Sequence, residues 1–220
     1  PGMTSWEVVQ RLNAIPELTG EIAEIPPEGS LAPDTYGAQR GDDRNELIAR
    51  MSAAQGARLA EAWETRAEGL PLETPYEALI LASIIEKETA LEEERGRVAG
   101  VFVNRLLRGM RLQTDPTVIY GVTEGRGSLG RGLRRSELDR RTPWNTYQID
   151  GLPPTPIANP GLASIEAALN PLATNDLFFV ADGAGGHVFA ETYAEHQRNV
   201  AEWRRIERER QREAEAAEDG

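Results

Sequence analysis

The sequence predicts an α+β domain built around one buried helix and completed by a small antiparallel sheet. Two observations carry that expectation. Ala78 to Ile85 is a nearly unbroken apolar run behind the helix start signal Thr74-Pro-Tyr-Glu77, the pattern of a helix buried on all sides. Leu177-Phe-Phe-Val-Ala181 and His187-Val-Phe-Ala190 flank the turn Asp182-Gly-Ala-Gly-Gly186, the pattern of two short strands joined in a hairpin. With 220 residues, 40% of them hydrophobic and 6% aromatic, the chain can bury one ordinary core and a small satellite.

The elements follow in order. Thr4 or Ser5 can cap a short amphipathic helix carrying Val8, Val9 and Leu12. A Pro- and Gly-rich loop, Ile25 to Gly29, leads into Leu31-Ala-Pro-Asp-Thr-Tyr36, which reads as a small subdomain without its opening strand. A second helix begins near Asp42 or Asp43 and runs toward Arg66, with Leu47, Ile48, Met51 and Leu59 as its buried stripe. In the central helix Thr74 is the N-cap, Pro75 takes the first helical position and Glu77 completes a capping box. The next helix carries Val98, Val101, Phe102 and Leu106 and stops at Gly109. From Met110 to Pro160 regular periodicity fades. A long irregular region in a compact domain is usually functional or disordered, and Gln113, Asp115, Tyr120, Trp144, Asn145 and Tyr147 give this one the look of a site lining. A short helix opens at Pro160-Gly-Leu-Ala-Ser-Ile-Glu166, and Thr192 with Glu195 forms a capping box for a last helix. Beyond Trp203 that helix is almost purely charged, and its end is expected to fray.

Composition excludes several classes. A formal net charge of −12 argues against nucleic acid and against an anionic membrane surface as partners. Cysteine is absent, so neither a disulfide framework nor a thiolate metal site is available. No apolar run approaches the roughly 20 residues that span a bilayer, and no signal-peptide pattern is visible. The chain opens at Pro1 in mid-pattern, and we expect it to be part of something longer.

The residues with most chemical content are Glu86, Lys87 and Glu88, where the apolar run of the central helix ends. Desolvation disfavours a charged carboxylate, so an acid at this rim should stay protonated to higher pH and serve as a general acid. Lys87 is the sole lysine among 24 basic residues. Positions two residues apart on a helix differ in direction by about 200°, so Glu86 and Glu88 cannot both face one cleft unless the helix ends between them, and spacing alone does not say which does. Asp115, before Pro116, is the other acidic candidate, with an Asx-type turn as its plainer role. His187 and His196 are nine residues apart, on a strand and a helix, and are expected to be structural rather than metal ligands. Glycines 183 to 186 lack the Lys-Ser/Thr of a phosphate loop. Trp144-Asn-Thr-Tyr147 suits a sugar: flat aromatic faces, with Asn145 able to bond hydroxyl or acetamido groups.

Six stretches then acquire a common meaning: Ala82-Ser-Ile-Ile-Glu-Lys-Glu-Thr89, Val101-Phe-Val-Asn-Arg-Leu106, Gly109-Met-Arg-Leu-Gln-Thr-Asp-Pro-Thr-Val-Ile-Tyr-Gly121, Asn145-Thr-Tyr147, Gly151-Leu-Pro-Pro-Thr-Pro-Ile157 and Phe179-Val-Ala-Asp182 with Gly186-His187. Together, and in this order, they resemble the endolytic murein transglycosylases of the YceG-like (MltG) family from about Gly2 to Trp203. Trp144 stands where that family usually has Tyr. The resemblance implies cleavage of the β-1,4 bond between N-acetylmuramic acid and N-acetylglucosamine inside peptidoglycan strands, leaving 1,6-anhydro ends and limiting strand length. It implies no cofactor and no metal. It makes Glu88 the catalytic acid and then base, with Asn104, Arg111, Gln113, Asp115, Asn145 and Tyr147 on the substrate side and Arg105 bracing the fold. It divides the chain into a partial LysM-like subdomain (1–36), a catalytic domain (37–205) and a charged helical tail (206–220). It further implies a membrane-anchored whole protein, on the periplasmic face of the inner membrane beside the peptidoglycan synthases. Two other readings stay open: a muramidase-type hydrolase with Asp115 or Glu86 as second carboxylate, and a non-catalytic peptidoglycan-binding module.

Overall fold

The structure, a computed structural model, describes the backbone of residues 1–218. Helix α3, Pro75–Glu88, is the axis of the fold. Leu81, Ala82, Ser83, Ile84 and Ile85 are all 0% exposed. It lies against α2 (Arg44–Glu64), α4 (Glu92–Leu107), α5 (Asp115–Thr123) and α7 (Leu162–Leu169). The one hydroxyl in the apolar run is satisfied on both sides: Ser83 Oγ donates to the Ile80 carbonyl at 2.7 Å and accepts the Ile157 N–H at 3.0 Å. Burial of each large aliphatic side chain here contributes about 1.5–3 kcal/mol. Thr74 caps α3 as expected by accepting the Glu77 N–H at 3.2 Å. The reciprocal half of the box differs, because the Glu77 carboxylate accepts the N–H of Glu73 at 2.6 Å rather than that of the cap residue.

Around this axis the expected elements fall within a few residues of their sequence signals. Helix α1, Ser5–Asn13, starts from a complete capping box between Thr4 and Glu7, and Asp43 caps α2. Past the end of α4, Gly109 has φ +65°, the left-handed conformation that closes a helix. Strands β1 (Phe178–Ala181) and β2 (His187–Ala190) pair antiparallel, Val180 opposite Val188. Phe179 packs edge-on against Phe102 of α4, with ring centroids 5.8 Å apart. Helix α8, Tyr193–Glu218, begins at the Thr192–Glu195 box. The charged tail, 206–220, is expected to be helical and frayed; it is helical through Glu218, and the last two residues lie outside the described residues.

One expectation is corrected. The region from Met110 to Pro160 holds two helices, α5 and the five-residue α6 (Arg135–Asp139). Asp115 is the first residue of α5, with Pro116 behind it, and not a free-standing turn. The helices are too short for a periodic stripe to register, while Pro near a helix start is itself a signal. Within residues 1–36, Val8 and Leu31 share a small apolar cluster with Met51 of α2. Asn159 and Glu28 tie that unit to the rest. Asn159 accepts the Leu31 N–H at 2.9 Å, and Glu28 accepts the Ser5 N–H at 2.7 Å and the Tyr120 hydroxyl at 3.2 Å.

Candidate functional site

The last turn of α3 sends its two glutamates to different places, as helical geometry requires. Glu86 accepts the Gly161 N–H at 2.9 Å and the Ser164 hydroxyl at 2.7 Å, which makes it an anionic cap on the N-terminus of α7. Glu88 turns the other way. The Thr114 hydroxyl donates to its Oε1, and Oε2 is left without a protein partner among the described residues, free to carry a proton. Desolvation by burial pushes the Glu88 pKa up, and the neighbouring Asp115 charge adds to the rise. The Thr114 hydrogen bond, His187 and Arg105 pull the other way without overcoming it.

Thr114 is held by a knot of buried hydroxyls. Its N–H donates to Thr146 Oγ1 at 3.0 Å, and its carbonyl accepts from Thr117 Oγ1 at 2.7 Å. The Thr117 and Thr146 oxygens are 2.8 Å apart. Since Thr117 spends its single proton on the Thr114 carbonyl, Thr146 donates to Thr117 and closes the ring. Thr114, Thr117 and Thr146 are 2%, 0% and 0% exposed, so the knot is dry and its bonds are strong. Just before it, Gln113 holds φ +52°, a conformation that costs a side-chain-bearing residue energy and tends to gather at functional sites.

A second pair approaches Glu88 from the hairpin. Glu94, in the first turn of α4, accepts the His187 N–H at 2.8 Å and bonds His187 Nδ1 at 2.7 Å. A carboxylate in that position fixes the proton on Nδ1 and leaves Nε2 unpaired. Gly186 makes the approach possible, because a Cβ there would stand 2.7 Å from Glu94 Oε1. His187 is thus engaged with a carboxylate beside Glu88, while His196 stacks on Phe178 with ring centroids 5.0 Å apart. Among the described residues no three His, Asp and Glu side chains converge as metal donors do.

The remaining sequence candidates divide. Tyr147 donates to Asp115 Oδ1 at 2.6 Å. Burial and that carboxylate drive its phenol pKa far up, so it is a donor throughout the physiological range. Arg111 pairs with Asp150 at 2.8 Å and donates to the Tyr147 carbonyl at 3.0 Å. Asp115 and Tyr147 therefore form one bonded wall beside Glu88, with Arg111 tied to its backbone and Gln113 joined to it through the bond from its N–H to the Thr146 carbonyl at 3.2 Å. Asn145 is different: it is 0% exposed, its amide donates to the Arg140 and Leu138 carbonyls at 2.6 and 3.0 Å, and its oxygen accepts the Tyr147 N–H at 3.0 Å. It shapes the wall from behind, with no atom left for a sugar. Trp144 is likewise occupied, bonded to Thr155 at 2.9 Å and packed on Tyr120. Asn104 spends its amide on the Thr174 and Asp176 carbonyls at 2.8 and 3.0 Å and ties α4 to the segment entering β1. Arg105 braces the fold as expected, with its guanidinium buried among three carbonyls. Sequence reasoning missed Thr114 and Glu94. The first stood inside the Gln113-Thr-Asp-Pro116 stretch, and the second is indistinguishable in sequence from the acidic first turn that helices favour.

Fold and site together define a helical α+β domain carrying one desolvated carboxylic acid at the end of its buried helix. The chain belongs to the YceG-like family, whose sequence model matches residues 1–202. It is 37% identical over 182 residues to an endolytic murein transglycosylase of Streptococcus pneumoniae serotype 2, covering 80% of this chain and 32% of that protein. It is also 37% identical over 173 residues to an endolytic murein transglycosylase of Bacillus subtilis, covering 79% of this chain and 47% of the relative. The chain thus spans from a third to a half of these relatives' length. A crystal structure of a YceG-like protein from Listeria monocytogenes superposes with a TM-score of 0.68 at 34% identity, over 87% of this chain and 63% of that one.

Proposed function

We propose that this chain carries the catalytic part of an endolytic murein transglycosylase, with Glu88 as its single acid and base. The observation that carries the reading is Glu88 itself: a carboxyl group with a raised pKa, one oxygen held by Thr114 and the other open. In the proposed reaction the Glu88 proton passes to the glycosidic oxygen as the bond from C1 of N-acetylmuramic acid breaks. The resulting carboxylate then takes the proton of the C6 hydroxyl while O6 bonds to C1. Glu88 is restored, no water is consumed and a 1,6-anhydro end remains. One group serves both steps, which suits a site where Glu86 is committed to capping α7. Glu94–His187 and Tyr147–Asp115 flank the acid with fixed dipoles and charges.

Peptidoglycan lies outside the cytoplasmic membrane, so the proposal includes work on its outer face, beside the synthases that extend the strands. Among the described residues no helix is long and apolar enough to cross a membrane. One observation favours a second reading: the Asp115 charge is close enough to raise the Glu88 pKa, so a hydrolase with two carboxyls would have its partner at hand. Mass spectrometry of products from purified strands separates the two. Ends one water lighter than hydrolysis products, lost in Glu88→Gln, are expected. Reducing ends that incorporate oxygen from labelled water, or a Glu88→Gln variant with near-normal activity, would sink the proposal.

A further inference from the structure

The chain is acidic overall, yet one surface segment is the reverse. Residues 126–141 hold six of the 24 basic residues, Arg126, Arg131, Arg134, Arg135, Arg140 and Arg141, against two acids, Glu137 and Asp139. All six arginines are exposed. Arg131 is neutralised by Glu137 and Arg135 by Asp139. Among the described residues Arg126, Arg134, Arg140 and Arg141 have no acidic partner.

This segment is fastened to the wall of the Glu88 site. Asn145 grips it from inside, bonding the Arg140 carbonyl at 2.6 Å while its other end holds the Tyr147 N–H at 3.0 Å. Tyr147 in turn reaches Asp115, and the adjacent Thr146 belongs to the knot that positions Thr114 on Glu88. The opposite end is pinned to the N-terminal unit, where the Thr4 hydroxyl donates to the Gly125 carbonyl at 2.6 Å. Four guanidinium groups without an acidic partner among the described residues therefore stand on a segment joined through Asn145 to the residues around Glu88.

We propose that this arginine loop binds the free carboxylates of the stem peptides on the glycan strand presented to Glu88. The inference rests on the function proposed above and adds a recognition element to it. N-acetylated sugars are neutral, so the charge of a peptidoglycan strand resides on its peptides. A chain of net charge −12 repels such a strand unless a local cationic surface meets it. Guanidinium groups match carboxylates in geometry as well as sign. The attachment through Asn145 to the residues around Glu88 is what favours a substrate part over a lipid surface, for which any face of the protein would serve.

Co-sedimentation with purified, polymer-free peptidoglycan tests this without depending on cleavage. The same mesh with its carboxylates coupled to methylamine is the neutral control. At low salt, the natural chain is expected to bind the untreated mesh about five- to tenfold more tightly than the coupled one, because several weak exposed contacts add together. Replacing Arg126, Arg134, Arg140 and Arg141 with serine, or adding 0.5 M salt, should bring the ratio close to one. A ratio unchanged by the substitutions overturns the inference. So does a ratio near one in the natural chain, or anionic-vesicle binding that the substitutions abolish while leaving the peptidoglycan ratio intact. Product analysis run in parallel distinguishes failure of the loop's role from failure of the catalytic reading: absent cleavage with a carboxylate-dependent ratio removes the catalytic reading and leaves the loop its role.

Discussion

Replacing Arg105 with methionine tests how the site is held together. The Arg105 side chain is buried in α4 and donates to the Leu177 carbonyl at 2.7 Å, the Leu112 carbonyl at 2.8 Å and the Arg111 carbonyl at 3.1 Å. Methionine keeps much of the apolar stem and removes every donor. Each buried carbonyl left without a partner costs about 1–3 kcal/mol. Leu112 and Leu177 are buried while Arg111 is exposed, so two of the three acceptors bear that cost. The sum is roughly 4 kcal/mol, with a range of about 2–6. For a chain of this size each kcal/mol moves the melting temperature by about 2–4 °C, so calorimetry should show a fall of roughly 8–16 °C. Arg105→Lys should fall between, since one ammonium reaches fewer acceptors. The segment released by the change leads directly to Gln113 and Thr114, so activity should drop even at temperatures where the variant is folded. A melting temperature within about 2 °C of the natural chain would refute the bracing role.

Two further outcomes follow from Glu88. Thr114→Val removes the hydroxyl that favours the ionised carboxylate, and a hydrogen bond to a charged group is worth about 1.5–3 kcal/mol. Glu88 should then hold its proton more tightly, and the alkaline limb of the pH–rate profile should move up by roughly one pH unit or more; a limb that stays put or moves down contradicts the hydrogen bond. Glu88→Gln should also change how stability depends on pH. With its pKa raised by burial, the folded chain keeps the Glu88 proton where the unfolded chain has lost it. That contribution is fully present below the unfolded pKa of about 4.3 and is lost as pH rises through the folded value. The variant should therefore melt higher than the natural chain at alkaline pH, with the gap closing toward about pH 4. A gap of constant size across that range counts against a raised pKa.

The parts of the fold legible in the sequence are those set by local rules. Thr74 and Pro75 announced α3, Gly109 announced the end of α4, and the alternation around Asp182-Gly-Ala-Gly-Gly186 announced the hairpin. Glu86 and Glu88 could be separated into two directions by helical geometry alone, but not assigned. The assignment needed the positions of Gly161 and Ser164 on one side and Thr114 on the other. Asn145 shows the opposite limit. An amide between two aromatics reads as a sugar ligand, and only tertiary structure reveals that its NH2 is spent on the Leu138 and Arg140 carbonyls and its oxygen on the Tyr147 N–H. Glu94 and His187 are 93 residues apart, and no spacing rule connects them.

The opposing duties of Glu86 and Glu88 bear on which changes in length this chain can absorb. Surface loops tolerate insertions readily. The turn containing Lys87 does not share that freedom. One residue gained or lost there rotates everything beyond it by about 100°, so that either α7 loses its cap or Thr114 loses the carboxyl it holds. The number of residues between the two glutamates thus constrains this turn as their chemistry does, since both partners depend on it.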